Sequence, residues 1–204
     1  MPDLRKVSAL AGVAVAGRYG KAAGTPGVVI EERQGLGLAT VAARKGRAAA
    51  LKAAIADAYG VDLPDDSRAV PGPNVTFVGY GPGQWLAVSE TLSSDALARD
   101  LANRLKGLAS ISDQHGGRTV LRVSGPRARD VLAKGLPIDL HPRAFGPGSA
   151  ATTAIALMGV QLWQIDDAPS YDLAIFRSVS ESFWRWLTAS AAEFGYEVTL
   201  SQKT

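Results

Sequence analysis

The sequence contains no cysteine. A disulfide framework, a thiolate zinc site and a cysteine nucleophile are therefore excluded, and a reducing, cytoplasmic setting is expected. Histidine is nearly as scarce, with His115 and His141 the only two. Each follows an aspartate at spacing two, Asp113 and Asp139. A metal centre needs three or four converging ligands held by outer hydrogen-bond partners, so both histidines read as structural or solvent-facing loop residues. A Gly-x-Ser-x-Gly elbow is missing as well, which leaves a serine-histidine-acid triad without support. No run approaches the ~20 apolar residues of a membrane helix, so no membrane partner is expected. Charge of one sign is not concentrated: the net charge is +3, with basic residues scattered among acidic ones. That pattern does not predict a nucleic-acid partner.

What is present is ordinary for a globular chain. The hydrophobic fraction is 47% and the charged fraction 20% over 204 residues, enough for one substantial core or two small modules. Arg5 and Lys6 precede the stretch Val7 to Gly17, which has the outline of an export signal. Its single leucine among Ala, Gly and Val makes it too feebly apolar for one. Residues 1–26 read as an N-terminal extension, with partial disorder expected.

From Val28 onward the pattern predicts one order of elements written twice. Strands are expected at Val28 to Ile30 and Leu36 to Val41. A helix with Leu51, Ile55 and Tyr59 on one face follows and stops at Gly60. Two strands, Asn74 to Gly79 and Gln84 to Ser89, flank a Gly-rich turn. Ser93 or Ser94 then caps a helix carrying Leu97, Leu101 and Leu105. The second half offers a strand at Arg118 to Val123 and a helix behind Gly125-Pro126. A long strand or a hairpin bent near Gly159 follows over Thr153 to Ile165, then a half-buried strand at Tyr171 to Ile175. Last come a helix from about Ser180 to Phe194, with Ser178 and Glu181 at capping-box spacing, and a closing strand at Tyr196 to Leu200. Each half reads β-α-β-β-α. The expected fold is thus α+β, two pseudo-repeated ferredoxin-like units over residues 27–110 and 111–204 that share one compact domain.

Four segments could carry chemistry. Gly79-Tyr80-Gly81-Pro82-Gly83 suggests a nucleotide loop, but apparent strand follows where a dinucleotide fingerprint needs a helix, so it reads as a hairpin turn. Gly125-Pro126-Arg127 could hold an anion at a helix start, with Arg129 adding charge. Asp166 and Asp167 are adjacent on a loop and read as a turn rather than an acid–base pair. The sharpest signal is aromatic. Phe183, Trp184, Trp186, Leu187, Ala191 and Phe194 spread over about 160° of an ideal helix, whereas one sheet contact needs a stripe nearer ~100°. The surplus, together with Trp163, marks Trp163, Phe183, Trp184 and Trp186 as a candidate partner interface, with core packing the competing reading.

The run Ser112 to Leu132 (SDQHGGRTVLRVSGPRARDVL) resembles a characteristic stretch of the sarcosine oxidase gamma-chain family. Gly83-Gln84-Trp85-Leu86, Tyr171-Asp172-Leu173 and Ser182-Phe183-Trp184-Arg185-Trp186-Leu187 extend the resemblance over residues 75–198. It implies a fold like the folate-binding domain of glycine-cleavage aminomethyltransferase. It also implies a four-chain flavoenzyme in which alpha, beta and delta chains are the partners and carry NAD, FAD and FMN. Such an enzyme oxidises the N-methyl group of sarcosine with oxygen, giving glycine and hydrogen peroxide, and tetrahydrofolate accepts the one-carbon unit. For this chain the resemblance implies no cofactor and no catalytic residue, only a structural and assembly role. A stand-alone folate-dependent aminomethyltransferase-like protein, or the equivalent subunit of an N-methylglutamate dehydrogenase, are the alternatives. The first needs a folate-orienting carboxylate, and no residue here matches one.

Overall fold

The computed structural model describes residues 8–21 and 24–200. The described strands form two sheets, and the chain divides into two compact units. Of the described residues, one holds 35–117 with 148–151; the other holds 8–21, 24–34, 118–147 and 152–200. The fold is mixed α/β. The division departs from the expected halves at 27–110 and 111–204, because the strand Val28–Glu32 joins the sheet of the C-terminal residues. Parallel and antiparallel pairing between distant segments leaves no local trace in a sequence.

In order, the strands are β1 (Gly17–Tyr19), β2 (Val28–Glu32), β3 (Gly37–Ala43), β4 (Ala69–Pro71), β5 (Thr76–Gly81), β6 (Gln84–Ser89), β7 (Ala109–Asp113), β8 (Arg118–Ser124), β9 (Ala150–Ile155), β10 (Met158–Asp166), β11 (Ser170–Phe176) and β12 (Tyr196–Leu200). The helices are α1 (Ala48–Tyr59), α2 (Ser94–Arg104), α3 (Ala128–Ala133) and α4 (Ser180–Ala191).

The first unit carries the five-stranded sheet β4-β5-β6-β3-β7, antiparallel throughout. Leu51 and Ile55 of α1 and Leu97 and Leu101 of α2 form one core with Val41, Phe77, Trp85 and Ala87. Trp85 can be buried because its Nε1–H donates to the Pro64 carbonyl at 2.8 Å. Gly60 stops α1 in the left-handed region (φ 65°), and the Ser93 hydroxyl accepts the Ala96 N–H at the start of α2. The Gly-rich segment is the β5–β6 turn, bulged between Gly79 and Gly81, with Gly83 at φ 67°.

One polar cluster ties α1 to α2. Tyr59 Oη donates to Asp100 at 2.7 Å, and Arg104 Nε donates to the other oxygen at 2.8 Å. Burial, then the bond to Asp100, raises the Tyr59 phenol well above its ordinary value. Burial pushes Asp100 up, but its bonds to Arg104 and Tyr59 outweigh that and hold it below the usual carboxylate value. The raised phenol keeps its proton while the unfolded chain loses it near pH ~10, so this contribution declines as pH rises beyond that point. The lowered Asp100 acts at the opposite end, its contribution being lost as pH falls through the carboxylate range. Tyr59→Phe should therefore cost about 1 kcal/mol near neutrality and should flatten the alkaline loss of stability. Urea midpoints measured between about pH 8 and about pH 11 check both.

The second unit carries the seven-stranded sheet β1-β12-β2-β8-β11-β10-β9. Strand β2 lies parallel to β12 and antiparallel to β8, and β11 is antiparallel to both β8 and β10. From β8 the order is β-α-β-β-β-α-β, as it is from β3. The first half has one strand more than expected between its first helix and its hairpin; in the second half the hairpin alternative holds for Thr153 to Ile165, and the closing strand expected at Tyr196 to Leu200 is β12. The missed strand, Ala69–Pro71, carries no clean alternation of apolar and polar residues. Ala109–Asp113, which spans the expected boundary between residues 110 and 111, is a strand as well.

Part of the expected N-terminal extension is placed. Leu10 is fully buried, and Gly17–Tyr19 pairs with β12. Residues 1–7 and 22–23 of that extension lie outside the described residues.

The bend expected near Gly159 falls instead at Ala156 and Leu157, between β9 and β10. Both stand at positive φ, 46° and 69°. Such a two-residue turn favours Asn-Gly, and each non-glycine residue held there costs about 1–3 kcal/mol. The capping box also differs. No side chain caps α4, and the Ser180 hydroxyl donates to the Arg177 carbonyl at 2.8 Å.

Candidate functional site

The polar centre of the second unit is built on neighbouring strands. Asp172 of β11 faces Arg122 of β8 in register, and Arg122 grips it with two bonds, Nε at 2.7 Å and Nη2 at 2.8 Å. Arg33, just past β2, brings a third nitrogen to 3.9 Å. Trp163 of β10 stands opposite Asp172 on the same face. Asp172 is only 3% exposed, and Ala174 and Gln161 beside it are buried too. The alternation Tyr171, Leu173, Ile175 implies a strand wet on its other face. Instead β11 is buried on both faces.

A second carboxylate, Glu32, is buried at the end of β2. It accepts hydrogen bonds from Ser8, from Gln34 at 3.2 Å and from Thr119 at 3.2 Å. Both acids are committed to structural partners. Asp172 clamps β8 to β11, and Glu32 anchors the segment around Ser8. Neither is arranged as a general base facing an open substrate site.

The other candidates resolve into local structure. Asp113 accepts the His115 N–H at 2.7 Å, and Asp139 accepts the His141 N–H at 2.8 Å. The Asp-x-His spacing is thus that of two Asx turns. Asp166 does the same for Ala168 at 2.9 Å. Among the described residues no group of acids and histidines is placed to hold a metal ion. The helix behind Gly125-Pro126 is the six-residue α3, too short for a developed dipole. Arg127 is engaged there, with Nε 3.0 Å from Asp130 and its guanidinium 4.5 Å from the centre of the Phe194 ring. No described helix is long and apolar enough to cross a membrane.

The aromatic residues are placed differently from the expectation of a partner interface. Trp163, Phe183 and Trp184 are buried by this chain itself, and Trp186 is half-buried. The broad arc on α4 is used internally, with α3 among its neighbours. Gly135, just after α3, lies under the Trp186 indole: a Cβ there would stand 2.5 Å from its Cζ2. The Phe183 and Trp186 rings pack 5.7 Å apart. A helix contacting two elements needs a wider apolar face than one contacting a single sheet, which accounts for the surplus. The apolar group most clearly presented outward is Leu157, which sequence periodicity could not single out because it sits in a turn.

Comparison with known proteins agrees with this architecture. The model of the family described as sarcosine oxidase, gamma subunit family, matches residues 44–193. Sarcosine oxidase subunit gamma of Corynebacterium sp. (strain P-1) is 36% identical over 148 residues, covering 71% of each chain. The subunit of the same name from Arthrobacter sp. is 36% identical over 146 residues, covering 70% of each. Among solved structures, a chain of the heterotetrameric sarcosine oxidase from Corynebacterium sp. U-96, in complex with pyrrole 2-carboxylate, superposes with a TM-score of 0.74 at 31% identity. That match covers 84% of this chain and 87% of the other. Glycine cleavage system aminomethyltransferase T from Bartonella henselae shares the fold, with a TM-score of 0.62 at 14% identity; 85% of this chain matches 47% of that one. On the length and identity of these matches, the chain belongs to the sarcosine oxidase, gamma subunit family.

Proposed function

We propose that this chain is the gamma subunit of a heterotetrameric sarcosine oxidase, a cytoplasmic assembly partner that contributes no reacting group. The observation that carries the reading is the superposition on a chain of a heterotetrameric sarcosine oxidase, at 31% identity over 87% of that chain. The commitment of Asp172 and Glu32 to internal partners supports it, because both buried acids that could have served chemistry hold the fold instead. In this reading the alpha, beta and delta chains carry FAD, FMN and NAD. The complex oxidises the N-methyl group of sarcosine with oxygen, giving glycine and hydrogen peroxide, and hands the one-carbon unit to tetrahydrofolate. Gly79 to Gly83, the segment with the outline of a nucleotide loop, turn directly into strand β6, so no helix N-terminus faces a pyrophosphate there.

The two units further read as copies of one ferredoxin-like module with an added edge strand. Their sheet orders, β4-β5-β6-β3-β7 and β9-β10-β11-β8-β12, correspond once β1 and β2 are set aside. The test of function compares the purified chain with the co-expressed complex for flavin absorbance and sarcosine-dependent hydrogen peroxide. The expected result is both properties in the complex and neither in the chain alone. A stoichiometric flavin, or turnover, in the isolated chain would overturn the proposal.

A further inference from the structure

We propose that the β9–β10 hairpin tip, Ala156–Leu157, is a knob that seats in an apolar socket on a larger chain of the oxidase; this rests on the assembly role proposed above. Two independent observations meet at this tip. Its backbone is strained, with both central residues at positive φ where Asn-Gly would sit at ease. Its leucine is 99% exposed, so no described residue covers it. A turn that needed only to reverse the chain would be better served by small polar residues.

The surroundings extend the knob. Phe176 ends β11 at the same end of the sheet and is 45% exposed, with its ring 3.7 Å from where a Cβ on Gly159 would stand. The Arg118 guanidinium stacks 4.6 Å from the centre of that ring and holds it in place. Leu157 thus projects beyond a fixed aromatic shoulder. A rigid apolar projection on a two-residue turn fits a preformed socket and loses little conformational freedom on docking. The occupant is taken to be a different chain because the solved relative belongs to an assembly of different chains.

The experiment co-expresses tagged forms of this chain with the alpha, beta and delta chains and quantifies what co-purifies. The variants are Leu157→Asp and the double replacement Ala156→Asn with Leu157→Gly. The double variant should melt no lower than the unmodified chain, since its turn is relaxed, yet capture of the larger chains should fall at least ~10-fold for both, equivalent to about 1.4 kcal/mol. Capture at unmodified levels by both variants would overturn the knob and leave the assembly role standing. If the unmodified chain captures none of the other chains, the assembly reading fails and the knob with it. A free chain that dimerises and becomes monomeric on Leu157→Asp would assign the tip to a second copy and overturn the proposal. Unfolding of the isolated Leu157→Asp chain would do so as well, by making the tip structural.

Discussion

Trp184→Ala should lower the stability of the isolated chain by about 3–5 kcal/mol, the cost of emptying a large aromatic site that cannot fully collapse. Trp184 is 7% exposed on α4, beside the fully buried Phe183 and Leu187. For a domain of this size the loss corresponds to roughly 6–20 °C in melting temperature. Phe183→Ala should behave alike. The measurement separates core from interface, because a residue buried only against a partner leaves the free chain unharmed when truncated. A melting temperature within about 1 °C of the unmodified chain would return Trp184 to the partner surface.

Asp172→Ala should destabilise the free chain by about 3 kcal/mol. The two bonds from Arg122 are lost, and the guanidiniums of Arg122 and Arg33 remain near one another without the carboxylate between them. The estimate is set at the lower end for a buried pair because the Arg122 side chain keeps 26% of its surface exposed. Replacing both members, Asp172→Leu with Arg122→Met, should restore much of the loss, since a matched apolar pair avoids the unpaired charge. Urea denaturation of the single and double variants checks this. Additive losses would mean that the clamp is not the origin of the effect.

Much of the fold was legible because its signals are local. The leucines of α2 recur at helical spacing behind a serine cap, Gly60 ends α1, and the Gly-rich β5–β6 turn lies between two apolar runs. What escaped was set by partners distant in sequence. Strand β2 pairs with β8 and β12, some ninety and one hundred and seventy residues on, and no property of Val28 to Glu32 announces it. Strands β1 and β4 have three residues each, too few for a period.

The site was less legible than the fold. Asp172 in an alternating strand looks solvated unless the far face is known to be covered, so the Asp172–Arg122 clamp gave no warning. The aromatic arc of α4 was visible, but its width has two explanations, an external partner or a second internal neighbour. Gly135 beneath Trp186 is a tertiary fact that α4 alone cannot supply. Leu157 left only the trace of a bulky residue in a turn, which becomes meaningful once its positive φ and full exposure are known.

The central claim is that this chain exists to complete an assembly of four different chains. Native mass spectrometry of the complex captured through a tag on this chain, after co-expression with the alpha, beta and delta chains, tests it most directly. The account predicts one species containing all four chains, this one among them. A tagged chain found alone, or bound only to copies of itself, would contradict it.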